Sequence, residues 1–204
     1  MVRGNNGEDF FTFLNAGKGV ILGIFHVYLV YHRAMKLRYA VWVEIPLATV
    51  DFLKSFYLKK SGKDLTIENL HLSILWPFFI NNGVTEETIL EKIKNISVGN
   101  FEARLSKLLV LEQKNKKILA AEVEPKEKFQ KIFGEVLMSL RNGIVFDKSV
   151  FSEGILPSFL PHVTIDYDFN GDMSTLQKQE LDETFLVEKV DLYREEGEGR
   201  WVKI

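Results

Sequence analysis

The chain has 204 residues, 46% of them hydrophobic and 26% charged, with a formal net charge of −2. That balance is that of a folded globular protein, and it excludes disordered and fibrous classes and any global pull towards nucleic acid or acidic membranes. The length suits one sizeable domain or two small lobes sharing a core.

Cysteine is absent, which removes disulfides, thiol nucleophiles and thiolate metal sites together. This is compatible with a reducing cytoplasm, the expected location, with the nucleus as the alternative in a eukaryote. Basic residues gather at Arg33, Lys36 and Arg38 and again at Lys114, Lys116 and Lys117, while the segment after Pro161 is acid-rich. A nucleotide ligand would therefore be small or locally held.

The first feature in chain order is "GKGVILGIFHVYLVYHRAMKLR". Its apolar core from Gly19 to Tyr31 is shorter than the roughly 18 to 20 residues a membrane-spanning helix needs. Its basic residues follow the apolar run, the reverse of a signal peptide. A buried or partner-packing element is expected for this stretch, with interfacial membrane anchoring, helped by Phe10, Phe11 and Phe13, as the alternative, and residues 1–38 form an N-terminal extension to which the sequence assigns no role. His26 and His32 read as packing or capping histidines.

"YAVWVEIP" (39–46) is rich in β-branched and aromatic residues and stops at a proline, as a strand does. "ATVDFLKSFYLKK" follows with Val50, Leu53, Phe56 and Tyr57 at helical spacing and Gly62 as terminator. "LHLSILW" reads as a strand. "TEETILEKIKNIS" reads as a helix capped by Thr85, with Ile89, Leu90, Ile93 and Ile96 on one stripe. "FEARLSKLLVL" and "KKILAAEVE" read as paired strands around a polar turn from Gln113 to Lys116. A third helix begins after Pro125, with Phe129, Ile132, Phe133, Val136, Leu137 and Leu140 on its apolar face, and the glycine of "RNG" suits a left-handed cap. A loop over 144–160 then leads to the strand "HVTIDY". A polar helix or turn around 174–183 and a closing hairpin, "FLVEKVDLY" and "RWVKI" turned by "EEGEG", complete the chain. Tight connections between several strands favour antiparallel pairing, so the fold class is α+β. No Pro-, Gly- or Ser-rich linker divides residues 39–204.

Two strands share one form: histidine, apolar, hydroxyl, apolar. His71 and Ser73 share one strand face while Leu72 and Ile74 share the other, and His162 and Thr164 repeat this against Val163 and Ile165. The apolar partners anchor each strand, and the polar pairs are presented together. Brought to one groove, two imidazoles can serve as general base and general acid, and two hydroxyls can donate to the oxygens between them. A phosphodiester suits that set, because its substitution needs proton transfer at both ends and charge stabilisation in the middle. For each histidine taken alone, the simpler reading is a strand residue whose ring is satisfied by a hydrogen bond.

"NLHLSILW" and "LPHVTIDY" resemble the two signature strands of the 2H phosphoesterase superfamily, which includes the LigT-like 2′-5′ RNA ligases and cyclic nucleotide phosphodiesterases. The resemblance runs from about Tyr39 to Ile204, and residues 1–38 stand outside it. It implies a bilobal fold of two antiparallel-rich sheets flanked by helices with pseudo-twofold symmetry. It also implies that His71 and His162 are the acid/base pair, that Ser73 and Thr164 bind phosphate oxygens, and that no cofactor or metal is required. The implied reaction is opening of a 2′,3′-cyclic phosphate or cleavage of a 2′-5′ linkage, with RNA ends or small nucleotides as substrates and a monomer as the working unit. A 3′-end-trimming exonuclease is a further subclass, which the serine of the first motif suggests. A nucleotide- or RNA-binding module that keeps the groove without catalysis is the alternative.

The chain departs from the pattern at two places. Tyr167 stands where LigT-like members often carry an arginine, and Trp76 where phenylalanine is common. Both aromatics are candidates for stacking on a base, with core packing as the competing role. "DYDFNGDMSTLQ" matches a calcium loop at its first, third, fifth and sixth positions, but Gln177 cannot supply the closing bidentate carboxylate, so an Asx turn is expected instead. "AGKGV" lacks the spacing of a phosphate-binding loop, and the charge runs "EQKNKK" and "YREEGEGR" read as solvated turns.

Overall fold

The computed structural model describes residues 37–65, 70–113, 116–147, 159–171, 180–197 and 199–204. The apolar run containing His26 and His32 lies outside the described residues. So does the far half of the calcium-like loop. Among the described residues no helix is long and apolar enough to cross a membrane.

From Leu37 onward the chain folds as one unit. Its elements are β1 (Arg38–Glu44), α1 (Leu47–Ser61), β2 (His71–Ile80), α2 (Glu86–Lys94), β3 (Phe101–Gln113), β4 (Lys116–Glu124), α3 (Lys126–Leu140), β5 (Ile144–Phe146), β6 (His162–Asp166), β7 (Glu180–Val187), β8 (Asp191–Glu195) and β9 (Trp201–Lys203). Local chemistry sets the helix ends. Gly62, at φ 68°, closes α1 in the left-handed region and donates its N–H to the Leu58 carbonyl at 2.9 Å. Thr85 caps α2 by accepting from the Thr88 N–H at 3.2 Å. Glu86 and Glu87 in the first turn of α2, and Lys92 and Lys94 in its last, complement the helix dipole. Glu86 also ties α2 to the sheet, because it accepts from the Tyr39 hydroxyl at 2.9 Å and pairs with Arg194 at 2.9 Å. Burial and the Glu86 carboxylate together push the Tyr39 phenol up to about 12.

Every strand pair is antiparallel, in the order β7-β3-β4-β6-β2-β1-β8-β9, with β5 added to β2. The two expected sheets thus form one hydrogen-bonded path, and the halves meet at a single registered pair, Leu72 with Val163. β7 and β8 lie far apart in this order, yet only residues 188–190 separate them. Four Cα steps span at most about 14 Å. The sheet must therefore curl until its two sides approach.

One face of the sheet carries the core. Val41, Val43, Leu72, Ile74, Ala121 and Val163 belong to a single buried cluster that also takes Leu53 of α1, Ile89 of α2 and Phe129 of α3. Each Val, Leu, Ile or Phe side chain among them contributes roughly 1.5–3 kcal/mol on leaving water. The alternate residues of β1 point the other way: Ala40, Trp42 and Tyr193 of β8 make a separate small cluster with Trp201.

Four local expectations change. The segment 180–183 is the start of β7, not a polar helix or turn. "FLVEKVDLY" is two strands on opposite sides of the sheet: β7 pairs with β3 and β8 with β1, while "EEGEG" turns the β8–β9 hairpin. Alternating burial in Leu181, Phe185 and Val187 explains β7, because these residues face the core whereas Glu180, Asp182 and Leu186 do not. The stretch 144–160 opens with the short strand β5, which pairs Ile144 with Ile80. Lastly, α3 ends at Arg141 in right-handed geometry, and Gly143 serves space instead of a left-handed cap: a β-carbon there would lie 3.1 Å from Ile89 Cδ1.

Candidate active site

Antiparallel register fixes the site. With Leu72 opposite Val163 and both fully buried, His71 comes opposite Thr164 and Ser73 opposite His162, all four on the face away from the core. The two motifs are therefore neighbours side by side on one surface, not facing strands of two sheets. His71 and His162 form a diagonal pair, and in a regular ladder such residues have Cα atoms about 7–8 Å apart. One phosphate group with a hydrogen bond at each end fills that span.

The flanking strands extend the pattern symmetrically. Glu44 of β1 is opposite His71 and Trp42 is opposite Ser73; Glu122 of β4 is opposite His162 and Ala120 is opposite Thr164. Each histidine therefore has a glutamate in the adjacent strand position. The Glu44 carboxylate is held below the usual range by a hydrogen bond from the Tyr193 hydroxyl at 2.5 Å, against some burial, with Lys203 adding at 3.0 Å. Burial would raise Glu122, but Lys126 at 2.6 Å and Lys107 at 3.6 Å outweigh it and keep the carboxylate low.

The histidines differ in what fixes their rings. His162 Nδ1 lies 2.7 Å from the Leu160 carbonyl oxygen. A carbonyl only accepts, so Nδ1 carries the proton and Nε2 is the basic nitrogen. Burial lowers the His162 pKa below 6.5, partly offset by that same hydrogen bond, so the ring is neutral at pH 7. The His71 ring stacks on the Trp42 indole, with centroids 3.6 Å apart and planes 13° from parallel. Trp42 in turn stacks on Tyr193 at 4.3 Å.

The two aromatic candidates separate. Tyr167 is 49% exposed and follows β6 directly. Loss of water around its hydroxyl raises its pKa, and the nearby Thr164 hydroxyl lowers it. Trp76 packs edge-on against Phe133 of α3 at 5.6 Å and Phe159 at 6.3 Å, which engages its ring with the core cluster. Asp166, at the head of the calcium-like loop, makes the Asx turn instead, accepting from the Asp168 N–H at 2.9 Å and from the buried Tyr57 hydroxyl at 2.7 Å.

Sequence reasoning missed Trp42, Glu44, Glu122 and Tyr193. The signal for the first two was present: in "AVWVEI" the tryptophan and glutamate alternate with valines, so they leave the core face together. Glu122 in "AAEVE" alternates in the same way, whereas the bond from Tyr193 to Glu44 spans 149 residues and has no local signature.

No protein-family model matches the sequence, and no curated protein matches it. Solved structures do. The Thermus thermophilus protein TT0787 superposes with a TM-score of 0.63 at 16% identity, covering 82% of this chain and 94% of its own. The fold is that of LigT and its relatives. Escherichia coli LigT with NADP+ matches with a TM-score of 0.59 at 14% identity, over 82% of this chain and 93% of LigT. A protein described only as a phosphoesterase matches at 0.56 and 15% identity, over 82% and 94%. The LigT-like fold thus spans nearly the whole length of each of these proteins.

Proposed function

We propose that residues 39–204 are a metal-independent phosphodiesterase for RNA-type phosphodiesters, either 2′,3′-cyclic phosphate ends or 2′-5′ linkages. The observation that carries this is the registered quartet: His71, Ser73, His162 and Thr164 on one face around the Leu72–Val163 pair. In the step, His162 Nε2 takes a proton from water and the water oxygen attacks phosphorus. The bond from phosphorus to the ribose oxygen breaks, and His71 donates a proton to that departing oxygen. Ser73 and Thr164 donate hydrogen bonds to the non-bridging oxygens, where negative charge grows. The depressed basicity of His162 favours its role as base, since its neutral form is populated at pH 7. Solved complexes of E. coli LigT hold 3′-AMP, phosphate and ATP, which is consistent with a small nucleotide or RNA end as ligand here.

The test is chromatographic product analysis after incubation with EDTA, using RNA ending in a 2′,3′-cyclic phosphate and 2′-5′ oligoadenylate. Turnover of either is expected, and the one consumed identifies the linkage. If both remain intact beside folded protein, the proposal fails and a binding module on this fold takes its place.

A further inference from the structure

The His71 ring is held by an aromatic wall. It stacks on the Trp42 indole with centroids 3.6 Å apart and planes 13° from parallel. The two are diagonal neighbours across the β1–β2 ladder, since Trp42 is opposite Ser73 and Glu44 opposite His71. Trp42 is buried, 5% exposed, and its ring is backed in turn by Tyr193 at 4.3 Å and Trp201 at 5.2 Å. Both of these line the pocket that opens beside His71. A stacked imidazole keeps its two nitrogens at its edge, so the wall orients the ring without consuming either. In the other half-site Ala120 takes the equivalent place beside Thr164, and the His162 ring is oriented through its Nδ1 instead.

An indole face carries partial negative charge, so a ring lying on it is more stable as a cation. Burial of the indole keeps water from screening that attraction. The charged groups around His71 do not supply the same bias, because they offset one another. Glu44 on β1 is taken up by the Tyr193 hydroxyl and by Lys203 of β9, and Asp191 on β8 by Lys203 and Lys189. Lys54 of α1 and Glu188 line the same pocket with opposite signs. His162 of β6, on the diagonal across the other ladder, is neutral at pH 7. The indole contact is therefore what sets the preferred charge of the His71 ring.

We propose that Trp42 is a positioning residue for the proton donor of the function proposed above, on which this inference rests: its indole face holds the His71 ring and favours the imidazolium. His71 then enters the reaction protonated while His162 enters it neutral. The two histidines differ in charge over an interval of pH, and the proton needed by the departing oxygen is in place before substrate binds. As pH rises His71 loses that proton, so the basic limb of the rate profile belongs to His71.

The test needs no substrate at its first stage. The ring signals of the four histidines are followed against pH by NMR in the full chain and assigned with His71→Gln and His162→Gln. His71 is expected to titrate above His162. A fluorinated tryptophan placed at position 42 alone keeps the shape of the indole but withdraws charge from its face. It should lower the His71 midpoint by about half a pH unit or more and leave His162 in place. Trp42→Leu should act in the same direction, and the fluorinated protein carries the test if the leucine variant does not fold. An unchanged or raised His71 midpoint with the fluorinated ring, or a His71 that titrates below His162, would overturn the inference. The second stage measures kcat/KM against pH for the accepted diester. With the fluorinated ring the basic limb should move to lower pH by the same amount as the midpoint, while the acid limb stays. A basic limb that stays while the midpoint moves would overturn the link from Trp42 to the proton donor. The NMR shift in a protein that cleaves no ester would uphold the action of the indole on His71 and overturn the catalytic reading.

Discussion

The His162→Asn substitution separates chemistry from architecture. The asparagine amide nitrogen can replace Nδ1 as donor to the Leu160 carbonyl, 2.7 Å away in the wild type, but no atom replaces the basic Nε2. Loss of a general base costs about 10² to 10⁴ in rate, which is about 2.7–5.4 kcal/mol at 1.36 kcal/mol per tenfold. Stability should change little. In His162→Ala the same rate loss is expected, but the part-buried carbonyl loses its partner as well, at about 0.5–1.5 kcal/mol for a hydrogen bond. Against a total of about 5–15 kcal/mol that difference is plain in urea unfolding. The assay is hydrolysis of the accepted diester at pH 7 alongside denaturation of both variants. A His162→Asn enzyme retaining a tenth or more of wild-type activity would refute the role of Nε2. Equal stability of the two variants would refute the role given to the Leu160 bond.

Two further outcomes follow from the same geometry. Because burial lowers the His162 pKa below 6.5, the acid limb of kcat/KM should fall below pH 6.5. Stability should also decline as pH drops below 6.5, where the unfolded chain binds a proton that the folded chain resists until its lower pKa is reached; an acid limb at or above 6.5 contradicts this. Leu72→Ala empties a fully buried position at the one registered pair joining the halves, and should cost about 2–5 kcal/mol in urea unfolding; a loss under about 1 kcal/mol would mean that the pair does not tie the lobes.

The local code carried most of the fold. β1, β2, β4 and β6 and the three described helices announce themselves through alternation, 3.6-residue stripes and end signals such as Thr85 and Gly62. What stayed hidden depends on long-range pairing. Nothing in "FLVEKVDLY" shows that the strand breaks so that its halves can close opposite sides of a curled sheet. Likewise nothing in "RNG" tells a glycine needed for its conformation from one needed for the approach of Ile89. The quartet of candidate residues was legible because a period of two puts each His and hydroxyl on one face. Their relation as cross-strand neighbours was not, since it depends on which strand edge β6 joins.

A site built by near-symmetry favours one of two equivalent placements of a shared proton only if its half-sites differ. The register preserves the symmetry in the glutamates, with Glu44 beside His71 and Glu122 beside His162. It breaks it at the next pair, where Trp42 adjoins Ser73 but Ala120 adjoins Thr164. A large indole against a methyl group is the largest chemical difference between the half-sites. It places a flat aromatic wall against the His71 ring, while the His162 ring is held by a backbone carbonyl that commits its Nδ1 proton. The same indole supports Tyr193 and Trp201, two walls of the pocket beside His71. The residue that distinguishes the surroundings of the two histidines thus also backs the pocket beside one of them. Under the proposed mechanism, therefore, the acid and base roles follow from this asymmetry, and a variant that reverses the asymmetry should reverse the roles.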